Sequence, residues 1–411
     1  MAIIKPFKCV RPDVKLAKRV AALPYDVYNR QEALVEVKKE PLSFLKIDRA
    51  ETLLDESIDA YDQRVYAKAK ETLETMIQDR VFVIDEVECY YVYELTMNER
   101  AQTGIVACAS IDDYQNNVIK KHEKTRADKE VDRIKHVDTC NAQTGPIFLA
   151  YRSQAVINDV VAEIKKEEAL YDFRAEDGVK HTVWRIVSPD RIEILQKAFL
   201  AVESIYIADG HHRAASAVKV GLMRREADKD YKGNEEFNHF LSVLFPNDQL
   251  MIMDYNRVVK DLNGHTKEEY LELVSEKFHL EKVGTTAYKP IKAHEIGMYL
   301  DNEWYKLIVK EEFLSVDPVE GLDVSILQNN LLTPILAIGD PRTDQRVDFI
   351  GGIRGLKELE RRVQGDMELA FAMYPTSIDE LFSVSDSDIL MPPKSTWFEP
   401  KLRSGLFIHK L

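Results

Sequence analysis

The sequence predicts an α/β (or α+β) fold with a mixed sheet, and three observations support this prediction. Helical and strand-like patterns alternate along most of the 411 residues, as they do when helices pack on a sheet. Two β-rich runs, 87–96 and 103–111, flank the polar segment MNERAQ as the strands of an antiparallel hairpin would. No fixed-period repeat, low-complexity segment or Pro/Gly/Ser-rich linker interrupts the alternation.

The elements can be justified in chain order. Residues 51–80 contain no Gly or Pro and space their apolar side chains for one face, which predicts a continuous helix. The hairpin follows, and then a charged stretch at 114–136 that also predicts a helix. Further strands are predicted at 203–208, 239–245, 304–310 and 347–351, and further helices at 212–223, 267–278, 354–364 and 377–382.

The order of elements predicts two regions, 1–254 and 255–411. The second is a C-terminal α/β region whose tail packs back on the body, because Trp397 and Phe398 in its Pro-punctuated last loop need a surface to dock on.

Composition and charge exclude several classes of protein. With 45% hydrophobic and 31% charged residues, the chain has the composition of a globular protein rather than a disordered or collagen-like one. The net charge of −14 disfavours a nucleic-acid or anionic-membrane partner, since both require a positive surface. Four scattered cysteines form no Cys-x-x-Cys pair, which excludes zinc-ribbon and thioredoxin interpretations. Charges interrupt the N-terminus where a signal peptide would be apolar, so we expect a cytoplasmic location.

The segment IYIADGHHRAASA contains the most specific pattern. An apolar strand runs into Asp209 and Gly210, and a helix then opens with His211, His212 and Arg213. Such a turn presents backbone N–H groups and the positive end of a helix dipole to an anion. Arg213 adds a bidentate phosphate partner, a histidine can transfer protons near neutral pH, and Asp209 can bind magnesium or act as a base. The structural alternative is that Asp209 only caps the helix.

The segment HEKTRADKEVDRIKH supplies a second basic pattern. If it is helical, four cationic positions fall on one face: His122, Arg126, Lys129 and Arg133. Asp128 and Asp132 lie on a neighbouring face, where they can pair these cations or hold a metal ion. The alternative is a solvated surface helix with salt bridges, as charge runs usually form.

Two loops carry weaker signals. In LPYDVYN, Tyr25 and Tyr28 supply rings on either side of Asp26. In PPKSTWFEPK, polar and basic side chains surround an aromatic pair, and these are Lys394, Ser395, Thr396 and Lys401. Both loops can equally be structural. Walker-type phosphate loops, Gly-x-Gly-x-x-Gly dinucleotide loops, Gly-x-Ser-x-Gly elbows and His-Glu-x-x-His zinc helices are absent from the sequence.

Taken together, these motifs resemble one family, the domain of unknown function 1015. The resemblance rests on PYDV, an RxGI-like stretch at 100–105, DDY, HEKTxxxKxxDR, DGHHR and MPPKSTWFEPKxxSGL in this order over nearly the whole chain. The chain departs from it in having Leu23 before Pro24 and in a wider spacing between Arg100 and Gly104. The DGHHR motif alone also resembles the free serine kinases of the ParB/sulfiredoxin-like superfamily.

These resemblances imply a ParB/sulfiredoxin-like nucleotide-binding core in the region 1–254. They imply that Asp209 and His211 are catalytic and that Asp209 and Asp132 hold Mg²⁺ for ATP or ADP. The residues implied to bind phosphate or nucleotide are Gly210, His212, Arg213, His122, Lys124, Thr125, Arg126, Lys129 and Arg133. The residues implied to bind substrate are Tyr25, Asp26, Lys394, Ser395 and Thr396. Glu51 is a weaker possibility for a second catalytic acid.

The function implied is a nucleotide-dependent phosphotransferase that acts on a small hydroxylated metabolite, with free serine as the first candidate. The alternative is a regulatory, ParB-like nucleotide-binding protein without phosphotransfer activity. We expect a nucleotide and a small molecule as partners, no nucleic acid and no membrane, and we leave open whether the protein is a homodimer.

Overall fold

The computed structural model describes residues 1–125 and 127–411. The chain divides into two compact units. The first comprises Met1–Leu250 and Pro400–Leu411, and the second comprises Met251–Glu399. The division into two regions at 254/255 stays a prediction.

The first unit contains a large sheet flanked by helices. Its strands up to residue 250 are β1 (Ile4–Lys5), β2 (Val10–Pro12), β3 (Phe82–Ile84), β4 (Tyr90–Met97), β5 (Arg100–Ser110), β6 (Ile119–Lys120), β7 (Ala142–Gln143), β8 (Ile147–Tyr151), β9 (Tyr171–Arg174), β10 (Lys180–Ile186), β11 (Ile205–Asp209) and β12 (His239–Pro246). Its helices are α1 (Ala17–Val20), α2 (Arg30–Lys39), α3 (Leu45–Asp48), α4 (Gln63–Gln78), α5 (Ile111–Gln115), α6 (Ala127–Cys140), α7 (Ala155–Ile164), α8 (Pro189–Leu200) and α9 (His211–Ala227).

The main sheet is mixed, which confirms the predicted fold class. Its strand order is β6-β11-β8-β12-β5-β4-β10-β9, with β1 also paired to β5. The pairs β6/β11 and β8/β12 are parallel, and the other pairs are antiparallel. The apolar core on this sheet includes Ile105, Leu149 and Ile207 from the strands, and Ala214 and Ala217 from α9. This packing fixes the start of α9 against the end of β11.

The second unit has a smaller antiparallel sheet. Its strands are β13 (Ile252–Met253), β14 (Tyr255–Val259), β15 (Phe278–Gly284), β16 (Glu295–Leu300), β17 (Glu303–Val309), β18 (Val347–Gly351), β19 (Leu369–Ala372) and β20 (Trp397–Phe398). Its helices are α10 (Lys267–Lys277), α11 (Asp323–Leu327), α12 (Leu356–Val363) and α13 (Ile378–Asp386). The sheet order is β15-β17-β16-β19-β14-β18, and α12 packs on it around Val258, Trp304 and Leu359.

The chain returns to the first unit for its last residues. Strand β21 (His409–Lys410) pairs antiparallel with β7, so that His409 lies opposite Gln143. Within this last segment the side chains of Leu402, Leu406 and Phe407 are buried. This pairing brings residues 400–405 into the first unit beside the loop that precedes β8.

The predicted hairpin is confirmed, with a tighter turn than MNERAQ suggested. Strands β4 and β5 are joined by Asn98 and Glu99, whose φ angles of +50° and +66° are those of a two-residue type I′ turn. The predicted strand before Asp209 and the helix after it are also confirmed, as β11 and α9.

The prediction of a continuous helix over 51–80 is wrong in its first part. Helix α4 begins only at Gln63. The carboxylates of Asp55 and Asp59 accept the backbone N–H two residues further along, at 3.0 and 2.8 Å. These local hydrogen bonds compete with those of a helix, so the segment forms turns instead.

The prediction of one helix over 114–136 is also wrong. Helix α5 ends at Gln115, Asn117 adopts a positive φ of 58°, and Ile119–Lys120 pairs parallel with β11 as strand β6. Helix α6 begins at Ala127, so His122 lies in the loop before it and does not share its face. Burial of β-branched Ile119 at the sheet outweighs the helical pattern of the sequence.

Candidate functional site

The turn between β11 and α9 presents the N-terminus of α9 without a side-chain cap. Gly210 occupies the N-cap position with a φ of +96°, a left-handed conformation that glycine adopts without strain. Within residues 1–125 and 127–411, no side chain forms a capping hydrogen bond with α9, so Asp209 is not its capping residue. The register with β8 shifts between Ile207 and Asp209, a β-bulge of the kind that re-aims a side chain at the end of a strand.

Two cations hold the carboxylate of Asp209. Lys401 Nζ lies 2.9 Å from Asp209 Oδ2, and Arg213 Nη2 lies 4.0 Å from Oδ1. Burial acts to raise the pKa of Asp209, but the charges of Lys401 and Arg213 outweigh it and hold the pKa well below its usual range. Asp209 is therefore an ionised carboxylate at neutral pH.

Arg213 is fixed by the backbone of the loop that precedes β8. Its Nη1 donates to the carbonyl of Pro146 at 2.6 Å. A Cβ on Gly145 would lie 3.5 Å from Nη1, and a Cβ on Gly210 would lie 3.1 Å from Nε. Both positions therefore approach the guanidinium closely, and the side chain is held between β11 and this loop.

His211 and His122 form a buried pair behind the turn. Their ring centroids lie 4.5 Å apart in an edge-on arrangement, and the His122 N–H donates to His211 Nε2 at 3.5 Å. Burial lowers the pKa of His122 to about 4, and burial followed by the charge of His122 lowers the pKa of His211 well below its usual range. Both rings are therefore neutral at pH 7. His122 Nδ1 is a buried atom without a hydrogen-bond partner among the described residues.

Helix α6 contributes a third cation, Arg133. Its Nε and Nη2 lie 2.9 and 2.8 Å from Asp132 Oδ2, and the hydroxyl of Tyr66 donates to the other oxygen of Asp132 at 2.9 Å. The ring of Tyr25 lies under the guanidinium, with its centroid 4.1 Å from Arg133 Cζ. Arg133 is thus held by an ion pair at one edge and by an aromatic ring on one face.

Arg133, Arg213 and Tyr25 line one small cavity, which is partly open to solvent. We call it the α6 cavity. Asp48, Thr144 and Ser404 also line it. The three segments LPYDVYN, HEKTRADKEVDRIKH and DGHHR therefore converge in the first unit, although Arg133 and Arg213 are 80 residues apart in sequence.

Lys124, Thr125 and Lys129 of the basic segment are not among the residues that line the α6 cavity. Lys129 Nζ donates to the hydroxyl of Tyr61 at 3.1 Å, and Thr125 Oγ1 donates to Glu130 Oε2 at 3.0 Å. Lys124 is exposed. Arg126 lies outside the described residues. A role of these residues in phosphate binding stays a prediction.

The remaining predicted residues fall into two places. His212 is half-buried in the first turn of α9, and Asp26 is exposed beside Tyr25. Lys394, Ser395 and Thr396 belong to the second unit. There Lys394 Nζ lies 5.7 Å from the ring centroid of Tyr255, and the Ser395 hydroxyl donates to the carbonyl of Pro392 at 2.7 Å. Their role in substrate binding stays a prediction.

The two predicted magnesium ligands differ in their fit. Both oxygens of Asp132 are engaged by Tyr66 and Arg133, so Asp132 does not fit a metal ligand. Asp209 offers one oxygen, Oδ1, whose nearest cation lies at 4.0 Å. Within residues 1–125 and 127–411, no three His, Cys, Asp or Glu side chains cluster as a metal site.

The sequence did not point to Asp48, Thr144 or Ser404, and it placed Lys401 only in a loop of basic and polar residues. Asp48 lies at the end of α3 and accepts a hydrogen bond from the Thr144 hydroxyl at 2.9 Å. Lys401 reaches Asp209 across 192 positions of sequence. Neither contact has a local signature, since each depends on how distant segments pack.

Distant likenesses to solved structures cover most of the chain. A free serine kinase variant in complex with AMP matches at 12% identity and a TM-score of 0.36, covering 74% of this chain and 92% of that one. Another variant of the free serine kinase, in complex with ADP, matches at 12% identity and a TM-score of 0.36, with coverages of 75% and 93%. SbnI from Staphylococcus aureus, truncated at its C-terminus, matches at 10% identity and a TM-score of 0.38, with coverages of 72% and 82%.

No curated protein matches the sequence significantly. In the described part of the chain, no helix combines the length and the apolar character that crossing a membrane requires. The model of the family described as protein of unknown function (DUF1015) matches residues 4–325. The closing MPPKSTWFEPK segment lies beyond this span. Because the match covers far more than half of the sequence, the chain belongs to the DUF1015 family, as its motifs predicted.

Proposed function

We propose that the first unit binds ATP or ADP at the turn between β11 and α9 and transfers a phosphoryl group to a small hydroxylated metabolite. Free serine is the first candidate for this acceptor. The observation that carries the proposal is the position of Arg213, which lies beside the uncapped N-terminus of α9, next to Asp209 and in the wall of the α6 cavity. Backbone N–H groups and a fixed guanidinium together favour a phosphate.

Phosphoryl transfer requires positioned positive charge more than a strong base. In the proposed reaction, the acceptor oxygen forms a bond to phosphorus, the bond from phosphorus to the bridging oxygen of the nucleotide breaks, and the hydroxyl proton leaves. Arg213 and Lys401 supply charge near the phosphoryl group. Asp209 orients the acceptor hydroxyl and takes its proton.

The low pKa of Asp209 is consistent with this role once a phosphate is present. Lys401 and Arg213 hold the pKa of Asp209 down, against the effect of burial, in the unliganded site. A bound phosphate competes for these cations, so it weakens their hold on Asp209 and makes the carboxylate a better proton acceptor.

His211 is better suited to positioning than to proton transfer. Its Nε2 accepts the His122 N–H, and its Nδ1 lies 3.8 Å from Glu123 Oε2. The ring sits at the first position of α9 and orders the turn behind Asp209 and Gly210. We therefore assign the proton transfer to Asp209 and treat His211 as a positioning residue.

A regulatory protein that binds a nucleotide without turnover is the second candidate. The observation that favours it is the ion pair of Lys401 with Asp209, which engages the proposed base. Turnover distinguishes the two candidates, since both predict nucleotide binding.

The test is product formation by wild type and by Asp209→Asn, followed by ³¹P NMR and mass spectrometry with ATP or ADP, Mg²⁺ and a panel of hydroxylated metabolites that includes serine. We expect wild type to form a phosphomonoester. Asp209→Asn keeps the shape of the side chain but removes the base, so turnover should fall by a factor on the order of 10² or more. Nucleotide affinity should not weaken, because a negative charge near the phosphates is removed.

Asp190→Asn is the matched control, because Asp190 is exposed in the first turn of α8. It should turn over like wild type. Normal turnover by Asp209→Asn would show that Asp209 is not the catalytic base. Nucleotide binding by wild type without transfer to any acceptor would favour the regulatory candidate.

A further inference from the structure

A second cavity of the first unit lies at the far end of β8 from the turn between β11 and α9. That turn lies near the start of β8, since Asp209 pairs with Phe148. The second cavity lies where the parallel strands β8 and β12 end, at Tyr151 and Pro246. At about 3.3 Å per residue, this end of β8 is roughly 13 Å from Ile147, which lines the α6 cavity. Ligands of open α/β sheets commonly bind outside the carboxyl ends of parallel strands, so a binding site is expected in this position.

This second cavity, which we call the α7 cavity, has a volume of about 200 Å³. Because a water molecule takes up about 30 Å³ in the liquid, the α7 cavity has room for a small organic molecule. Thr103 and Ile105 of β5 line it on one side, and Asn158 and Val161 line it from one face of α7. The lining therefore combines apolar side chains with polar ones, as small-molecule sites do.

The charges at the α7 cavity neutralise each other. Lys165 is the charged side chain of the described lining, and its Nζ pairs with Glu94. The Thr103 hydroxyl donates to the same carboxylate at 2.9 Å, and Lys165 Nζ lies 3.5 Å from Thr103 Oγ1. Burial raises the pKa of Tyr151, so its phenol is neutral at pH 7. A charged ligand therefore finds no unpaired opposite charge among these residues.

Three polar groups of the lining are open to a ligand. The Tyr151 hydroxyl, Asn158 Oδ1 and Gln249 Nε2 have no hydrogen-bond partner among the described residues, and none of them is fully shielded from solvent. The other end of each amide is held in place. Asn158 Nδ2 donates to Ser153 Oγ at 2.9 Å. Gln249 Oε1 accepts the Thr103 N–H at 2.9 Å. The α7 cavity therefore presents a fixed acceptor, a fixed donor and a hydroxyl group to its contents.

A hydroxyl group donates one hydrogen bond and accepts others, so a molecule with several hydroxyl groups can use an amide oxygen, an amide N–H and a phenol at once. An uncharged ligand also avoids the cost of burying a charge beside an ion pair that is already complete. We propose that the α7 cavity binds a neutral polyol, meaning a small sugar or sugar alcohol. This site is separate from the turn between β11 and α9, and it does not require that a phosphoryl group is transferred there.

The test is saturation-transfer difference NMR with the full chain in the absence of nucleotide. The neutral probes are D-glucose, D-ribose and myo-inositol. Each has a charged counterpart, namely D-glucuronate for glucose and the phosphate monoesters of ribose and of myo-inositol. We expect at least one neutral probe to bind, and its charged counterpart to bind more weakly by a factor on the order of 10 or more, because the charge is buried without a partner.

Two variants place the binding in the α7 cavity. Asn158→Leu keeps the approximate shape of the side chain but removes its acceptor, so the affinity for the neutral probe should fall by a factor on the order of 10. Ala162→Trp fills the cavity from an exposed position of α7 and should abolish binding. Asp159→Leu is the matched control, because Asp159 is exposed on α7 and does not line the cavity, and it should bind like wild type. If Asn158→Leu fails to fold, Ala162→Trp still tests the proposal.

The proposal is overturned if no neutral probe binds, or if the charged counterpart binds as well as the neutral probe. Binding that survives in Ala162→Trp also overturns it, since the probe then binds elsewhere. Arg213→Ala should leave binding of the neutral probe unchanged, and a loss there would place the probe at the α6 cavity instead. Failure of the proposed function has a different signature, because the polyol then binds while ATP and ADP do not bind or no phosphoryl group is transferred.

Discussion

At the scale of single residues, we expect the burial of His122 to make the free energy of unfolding depend on pH. Burial lowers the pKa of His122 from 6.5 to about 4, so the unfolded chain binds a proton more readily than the native chain does. The free energy of unfolding is therefore unaffected by His122 above pH 6.5. It decreases as the pH falls from 6.5 toward 4, because only the unfolded chain is protonated there. Between pH 7.5 and 5 this loss amounts to about 2 kcal/mol.

Chemical denaturation of wild type and His122→Gln at several pH values tests this prediction. The variant cannot gain the proton, so its free energy of unfolding should fall less steeply over this interval, by about 2 kcal/mol. Parallel pH profiles for the two proteins would contradict the burial argument. The absolute stability of the variant does not matter, because only the slopes are compared.

At the scale of elements, we expect a methyl group at Gly210, in the turn from β11 to α9, to reduce both stability and nucleotide binding. Gly210→Ala places an L-residue at a φ of +96° and a Cβ 3.1 Å from Arg213 Nε. We expect a loss of about 1–2 kcal/mol in unfolding free energy from the strained backbone. We also expect weaker nucleotide binding, because the guanidinium must shift.

Gly178→Ala separates these two effects. Gly178 has a φ of +83°, but a Cβ there would meet nothing within 4 Å. This variant should lose similar stability, measured by denaturation, and bind nucleotide like wild type. Equal nucleotide affinities for the two variants would show that the turn tolerates a side chain at Gly210.

The elements also show what the sequence can and cannot predict. The apolar strand before Asp209 and the Ala-rich helix after Gly210 carry local signals, and both were predicted correctly. The helix predicted over 51–80 is wrong in its first part because Asp55 and Asp59 accept hydrogen bonds from nearby backbone N–H groups. The spacing of apolar residues carries no signal of these bonds. The helix predicted over 114–136 is wrong because Ile119 pairs with Ile205, a strand residue 86 positions away.

At the scale of the whole molecule, the candidate site depends on contacts between distant segments. DGHHR, HEKT and PYDV could be singled out from their residue types, and Arg213, Arg133 and Tyr25 line one cavity. Asp48 and Lys401 could not be assigned, because Asp48 reaches the cavity and Lys401 reaches Asp209 only through the packing of α3 and of the returning C-terminal segment.

Because residues 400–411 are part of the first unit, we expect a truncated side chain in this segment to lower the free energy of unfolding. Phe407 is fully buried, and its ring centroid lies 5.1 Å from that of Tyr91 and 5.5 Å from that of Tyr93. Phe407→Ala leaves a cavity in the first unit and should cost about 3–5 kcal/mol of unfolding free energy. Phe237→Ala, at a half-buried position of the same unit, should cost less. Equal costs in denaturation experiments would mean that the segment is only loosely attached.

The measurement that tests the central claim most directly is calorimetric titration of ATP and ADP into wild type, Arg213→Ala and Arg224→Ala. The two arginines lie on the same helix, but only Arg213 lines the α6 cavity beside the uncapped helix terminus. Removal of a charge-assisted contact worth about 1.5–3 kcal/mol should weaken nucleotide binding by Arg213→Ala roughly 10- to 100-fold. Arg224→Ala should bind like wild type. Unchanged affinity in Arg213→Ala, or no nucleotide binding by wild type, would contradict the assignment of this turn as the nucleotide site.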